Sequence, residues 1–180
     1  SGGRVFEDGR QLWLHLDIKT APAPAIRAAL RLQGTYPELI AAAPGDGKPV
    51  RLVLSGNRPP PPEVAALRHR TLTLDGRAPD LGRYTDAGVM PIISDDWRGL
   101  FAWRGDGPMP ADEARRLDAM VTTAHAHGQL LRFWGTPDDP GPERERVWTH
   151  LLRAGVDLLN TDDVVGLRTF LDARQVPPGT

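Results

Sequence analysis

The chain has 180 residues, 22 Lys and Arg against 23 Asp and Glu, a formal net charge of -1, and 40% hydrophobic residues. That length suits one domain with a proper core, and a near-balanced charge without a basic, aromatic-interleaved cluster argues against nucleic acid as a partner. The absence of cysteine excludes disulfides and thiolate metal sites, and no apolar run approaches the roughly 20 residues of a transmembrane helix.

From the N-terminus, Leu12, Leu14, Leu16 and Ile18 alternate with Trp13, His15, Asp17 and Lys19. Strict alternation predicts a strand with one aliphatic face and one polar face. A short helical pattern follows over Ala25 to Leu32 and ends near Gly34. VRLVLS, Val50 to Ser55, is a second strand. Pro59 to Pro62 open a short helix through Leu67. Thr71 to Leu74 is a third strand ended by Asp75-Gly76. Val89 to Ser94 is a fourth, made short or irregular by Pro91. Ala111 to His127 is the best helix, with Pro110 before it, Asp112 and Glu113 in its first turn and Gly128 after it. Leu130 to Trp134 is a fifth strand. Pro142 to Ala154 is a helix closed by Gly155, Val156 to Thr161 a sixth strand, and Asp163 to Ala173 a last helix. The tail Val176 to Thr180 reads as frayed.

Strand, loop, helix, repeated, is the pattern of parallel α/β folds. Polar residues gather at strand ends or just beyond: Asp17, Lys19, Ser55, Asn57, Ser94, Arg132, Trp134, Asn160 and Asp162. In a (β/α)8 barrel those positions form the catalytic rim, and in a doubly wound sheet they flank the crevice. Glycine-rich phosphate loops, the G-x-S-x-G elbow and H-E-x-x-H are all missing from the sequence.

Asp17 and Lys19 share a strand face, so one ligand can meet both. A carboxylate holds a hard cation and an ammonium holds a phosphate oxygen. The plainer reading is that the two pair with each other. His15, two residues earlier, reads as a hydrogen-bonded residue deeper in the fold. Arg132 and Trp134 share a face of the fifth strand. Either they meet a phosphate and a head group, or Arg132 pairs an internal carboxylate and Trp134 fills space. Asn57 and Arg58 offer head-group contact or simply a turn. Asn160 points into the site, and Asp162 or Asp163 caps the last helix. His125 and His127, at i and i+2, face different ways and make no metal site.

Seven segments in order carry a resemblance: LDIKT (16–20), LSGNRP (54–59), LDGRAPDL (74–81), PIISDDW (91–97), AHAHGQ (124–129), RFWGTPDD (132–139) and AGVDLLNTDD (154–163). Together they resemble the phosphodiesterase superfamily of glycerophosphodiester phosphodiesterases and phosphatidylinositol-specific phospholipase C. The similarity is greatest to its bacterial phospholipase-C-like branch, which includes the altered-inheritance-of-mitochondria proteins. The resemblance implies a (β/α)8 TIM-type barrel, of which residues 1–180 would be a single domain forming about two thirds, with the N-terminal strands absent. It implies that Asp17 ligates Ca2+ or Mg2+ and that Lys19 contacts phosphate as a catalytic residue. Arg132, Trp134, Asn57 and Asn160 would bind the substrate head group. The family's catalytic histidines and its Glu-x-Asp metal pair have no counterpart before Leu12.

The function this implies is metal-dependent cleavage of a phosphodiester or phospholipid head group, by hydrolysis or cyclising elimination, in the intact enzyme. The chain alone would be inactive and bind metal weakly or not at all. A secreted or cell-envelope setting goes with that branch. Two rivals stand beside it. One is a non-catalytic barrel fragment that binds or assembles, associating with itself through open strand edges. The other is a different barrel enzyme in which Lys19 forms a Schiff base.

Overall fold

In the computed structural model, the described residues are 4–42, 45–67, 72–84 and 86–174. They contain six strands and six helices: β1 (Leu12–Ile18), α1 (Pro22–Thr35), β2 (Val50–Gly56), α2 (Pro61–Ala65), β3 (Leu72–Gly76), β4 (Ile92–Asp96), α3 (Trp97–Leu100), α4 (Ala111–Ala126), β5 (Leu130–Trp134), α5 (Pro142–Ala154), β6 (Leu158–Leu159) and α6 (Val164–Asp172). The tail expected to fray, 176–180, and Thr71 of the expected third strand lie outside the described residues. No helix among the described residues is long and apolar enough to cross a membrane.

The chain divides into two compact units, Ser1–Ile93 with His127–Gln129, and Ser94–Ala126 with Leu130–Thr180. In the first unit β1, β2, β3 and the start of β4 pair in sequence order, every pair parallel. The register sets Leu14, Leu52 and Leu72 in one row and Leu16, Leu54 and Leu74 in the next. Leu52, Leu54, Leu72 and Leu74 are fully buried. The aliphatic face of β1 is less complete than its alternation predicts: Ile18 is buried but Leu14 is 40% exposed. The second unit contains the parallel pair β5–β6. Its core is a set of rings in which Trp97 stacks on Phe101 at 4.2 Å and meets Phe133 edge-on at 5.4 Å. Paired strands are always neighbours in sequence. That is α/β with sequential parallel strands, the order of a barrel-type winding, and among the described residues of the first unit there is no strand-order reversal of the doubly wound kind.

Several boundaries differ from the sequence expectation for backbone reasons. Helix α1 begins at Pro22, three residues early, because a proline in the first turn forfeits no hydrogen bond. Helix α2 starts only at Pro61. Pro60 is extended, φ -58° and ψ 142°, since the residue before a proline avoids the helical region. The fourth strand runs over Ile92–Asp96 rather than Val89–Ser94. Pro91 has no N–H for a ladder, and the amides of Val89 and Met90 turn back onto the Asp86 carbonyl at 2.8 and 3.0 Å. Strand β3 instead extends through Asp75 and Gly76, which pair with Ile92 and Ile93. Strand β6 shrinks to two residues, Leu158 and Leu159 opposite Arg132 and Phe133. Helix α3 and the single 3-10 turn Ala78–Asp80 have no counterpart in the sequence reading.

Candidate functional site

The strand ends of the first unit collect polar residues in rows. Asp17 stands opposite Ser55 in the β1–β2 register. Leu54 stands opposite Leu74, so one step on brings Ser55 beside Asp75. The Ser55 hydroxyl donates to Asp75 Oδ2 at 2.8 Å. His15 lies one row deeper, its Nδ1 3.9 Å from the same oxygen, and Arg77 Nη1 approaches it at 3.4 Å. Asp75 is 2% exposed. A carboxylate that deep is tolerable because a hydroxyl and a guanidinium surround it. Sequence reasoning treated Asp75 as a turn residue. The signal was present in LTLDG, whose alternation puts Thr73 and Asp75 on the face opposite Leu72 and Leu74.

Asp17 and Lys19 form an ion pair at 2.6 Å, with side chains 53% and 80% exposed. Gly56 has φ +69°, and a Cβ there would collide with the Asp17 carboxylate and the Ile18 carbonyl. Only glycine lets β2 end this close to the acid. The next residue, Asn57, is exposed and its N–H donates to the Ile18 carbonyl at 2.8 Å. That is the turn reading of Asn57. Arg58 folds back to pair with the Asp80 carboxylate, whose Oδ2 also accepts the Arg77 N–H at 2.9 Å. A Schiff-base lysine works best when desolvated or beside another cation; Lys19 is exposed and paired with an acid.

In the second unit the Arg132 guanidinium donates to two neutral side chains. Its Nη1 donates to Ser94 Oγ at 2.8 Å and its Nη2 to the Asn160 side-chain oxygen. Asn160, expected to point into the site, contacts Arg132 directly. Trp134 lies under Arg98 at 5.8 Å and is 36% exposed. Arg98 in turn grips Asp96 through two nitrogens at 3.0 and 3.1 Å. That hydrogen bond first, and the charge of Arg98 after it, hold the Asp96 carboxyl below its ordinary range. Asp163 caps α6, accepting the Gly166 N–H at 2.8 Å and Arg144 at 2.9 Å.

The structure thus joins Asp17 to Lys19 and Arg132 to Asn160, and places Asn57 and Trp134 at strand ends of their own units. A Ca2+ or Mg2+ site is tested by its donor set. Among the described residues no three His, Cys, Asp or Glu side chains gather to hold a metal, and Asp17 is engaged by an ammonium. These residues do not by themselves fit a hard cation, which takes six or more oxygens.

The glycerophosphoryl diester phosphodiesterase family matches residues 131–164, the stretch holding Arg132, Trp134 and Asn160. Beyond that stretch the chain is similar to an altered inheritance of mitochondria protein 6 from Eremothecium gossypii, 32% identical over 135 residues, covering 68% of this chain and 35% of that protein. A homolog from Arthroderma benhamiae is 26% identical over 163 residues, 89% of this chain and 49% of the relative. The chain therefore spans between about a third and a half of these relatives, and the resemblance read from the ordered motifs holds. No solved structure matches it significantly.

Proposed function

We propose that this chain carries part of a phosphodiester head-group site, of the glycerophosphodiester or phosphatidylinositol type, in a longer (β/α)8-type enzyme. One observation carries the reading: Asp17, Ser55 and Asp75 stand in one row at the C-terminal ends of parallel strands, with Lys19 and Arg77 just beyond those ends. Barrel enzymes keep their chemistry at those ends. Lys19 is the mobile cation of the set. Released from Asp17 by an incoming phosphate, it would neutralise negative charge on the phosphoryl oxygens as an oxygen nucleophile bonds to phosphorus and the ester oxygen leaves with the P–O bonding pair. Asn57 in the first unit and, separately, Arg132, Trp134 and Asn160 in the second are proposed as head-group contacts. Asp17 would be one donor to a divalent cation, which needs further oxygen donors besides it.

The test uses the 180-residue chain with glycerophosphoinositol and glycerophosphocholine, following binding by NMR and turnover by product release. Weak binding without turnover is expected, lost on Lys19→Ala. Turnover that disappears on Asp17→Ala would overturn the inactivity, and binding unchanged by Lys19→Ala would overturn the site.

A second reading, a non-catalytic module that associates with itself, is favoured by one feature. Strand β1 stands last in the strand order and exposes Leu14. An open edge of this kind pairs readily with a second copy. Sedimentation showing a stably folded monomer at high concentration argues against it.

A further inference from the structure

Helix α5 has an outward face that shares no residue with the strand-end site. With the segment 103–109 and Arg174 it borders a cleft of about 520 Å³, within the range of small-molecule sites. One wall is apolar, formed by Trp103 and Met109. The Trp103 ring is fixed, its Nε1 donating to the Gly107 carbonyl at 3.3 Å and its edge meeting the His150 ring at 5.4 Å.

The other wall is cationic. Arg146, Arg153 and Arg174 line the cleft with one carboxylate, Glu145. Arg146 is occupied by Glu143 at 3.1 Å. Arg174 lies over the Phe170 ring at 3.7 Å, donates to the Phe170 carbonyl at 3.3 Å and to the Thr149 hydroxyl at 3.5 Å, and reaches Glu145 at 3.9 Å. Arg153 is exposed and has no hydrogen bond or ion pair to a described residue. Burial lowers the His150 pKa, opposed by Asp118 and assisted to a smaller degree by Arg153.

We propose that this cleft binds a phosphate monoester carrying a short apolar group, its phosphate held by Arg153 and Arg174 and its hydrocarbon laid along Trp103 and Met109. The charge argues for an anion: three guanidiniums meet two carboxylates, Glu145 in the lining and Glu143 on Arg146, which leaves one net positive charge, that of Arg153. The planar guanidinium fork matches a phosphate edge with two parallel hydrogen bonds. The volume and the apolar wall argue for an organic ester, because inorganic phosphate fills only a small part of the space and leaves Trp103 and Met109 untouched.

Hexyl phosphate, inorganic phosphate and hexanol are the probes, titrated by calorimetry and by NMR of the tryptophan indole and arginine side-chain signals. Hexyl phosphate should bind saturably and move the Trp103 and Arg153 signals. Inorganic phosphate and hexanol should each bind at least tenfold more weakly. Arg153→Glu should weaken hexyl phosphate at least tenfold and Arg153→Lys, which keeps the charge but loses the fork, by less, with unchanged melting showing that both variants fold. The proposal fails if inorganic phosphate binds as well as the ester, if Arg153→Glu leaves affinity unchanged, or if the shifts fall on Lys19 alone. That last result would assign the phosphate to the strand-end site.

Discussion

The two units use the same strand-then-helix pattern and fill their strand ends differently. The first ends β1, β2 and β3 in charge: an exposed Asp17–Lys19 pair above a buried Asp75 with Ser55, His15 and Arg77 around it. The second ends β4 in a cap and builds its core from rings, with Trp97 among Phe101, Trp103 and Phe133. Its one strand cation, Arg132, is held by a hydroxyl and an amide. The lesson is a division of labour. The second unit packs rings at its core, and the first unit pairs its charges with one another at the strand ends.

Three experiments break or sharpen that contrast. The largest effect belongs to the ring core. Trp97 is fully buried and donates its indole N–H to the Trp103 carbonyl at 2.9 Å. Trp97→Ala should cost about 3–5 kcal/mol, from the cavity and from an orphaned carbonyl. Urea denaturation measures it. A loss below about 1 kcal/mol would show that the second unit does not depend on its rings.

The next effect belongs to the buried acid of the first unit. Asp75→Asn keeps the shape and removes the charge facing Arg77 and His15. A hydrogen bond to a charged group contributes about 1.5–3 kcal/mol, so a loss near the lower figure is expected, the partial exposure of Arg77 reducing it. A stabilised variant would mean that the carboxylate is strained in the free chain and held for a ligand, which would strengthen the functional reading of this unit.

The smallest effect is a pH dependence. Asp163 is held below its ordinary pKa first by the Gly166 N–H and then by Arg144. A carboxylate with a depressed folded pKa contributes stability above its unfolded value of 3.8, and that stability is lost as pH falls through the lower folded value. Melting temperature below pH 4 should therefore fall less steeply in Asp163→Asn than in the unaltered chain. Parallel curves would mean that the cap does not couple α6 to Arg144 on α5.

Much of the fold was legible because local signals agreed. The helices α4 and α5 end where glycine follows, and β1, β2 and β5 sit where alternation or an apolar run put them. The misplacement of β4 came from Pro91, whose effect depends on where Asp86 lies to receive the turned amides. Asp17 and Lys19 were found because alternation alone fixes which residues share a face. Asp75 was missed because a carboxylate before glycine has the look of a turn, and only strand register shows it beside Ser55.

The sequence by itself determined the parallel α/β class, the order of elements and the family resemblance, since period, caps and ordered motifs are properties of the chain. The tertiary structure decided which charges are buried and who partners them: Asp75 with Ser55, Arg132 with Ser94 and Asn160, and Arg153 left facing a cleft. The reason is physical. Faces are set by neighbours along the backbone, while burial and pairing are set by residues 20 to 40 positions away, brought together only when strands and helices pack.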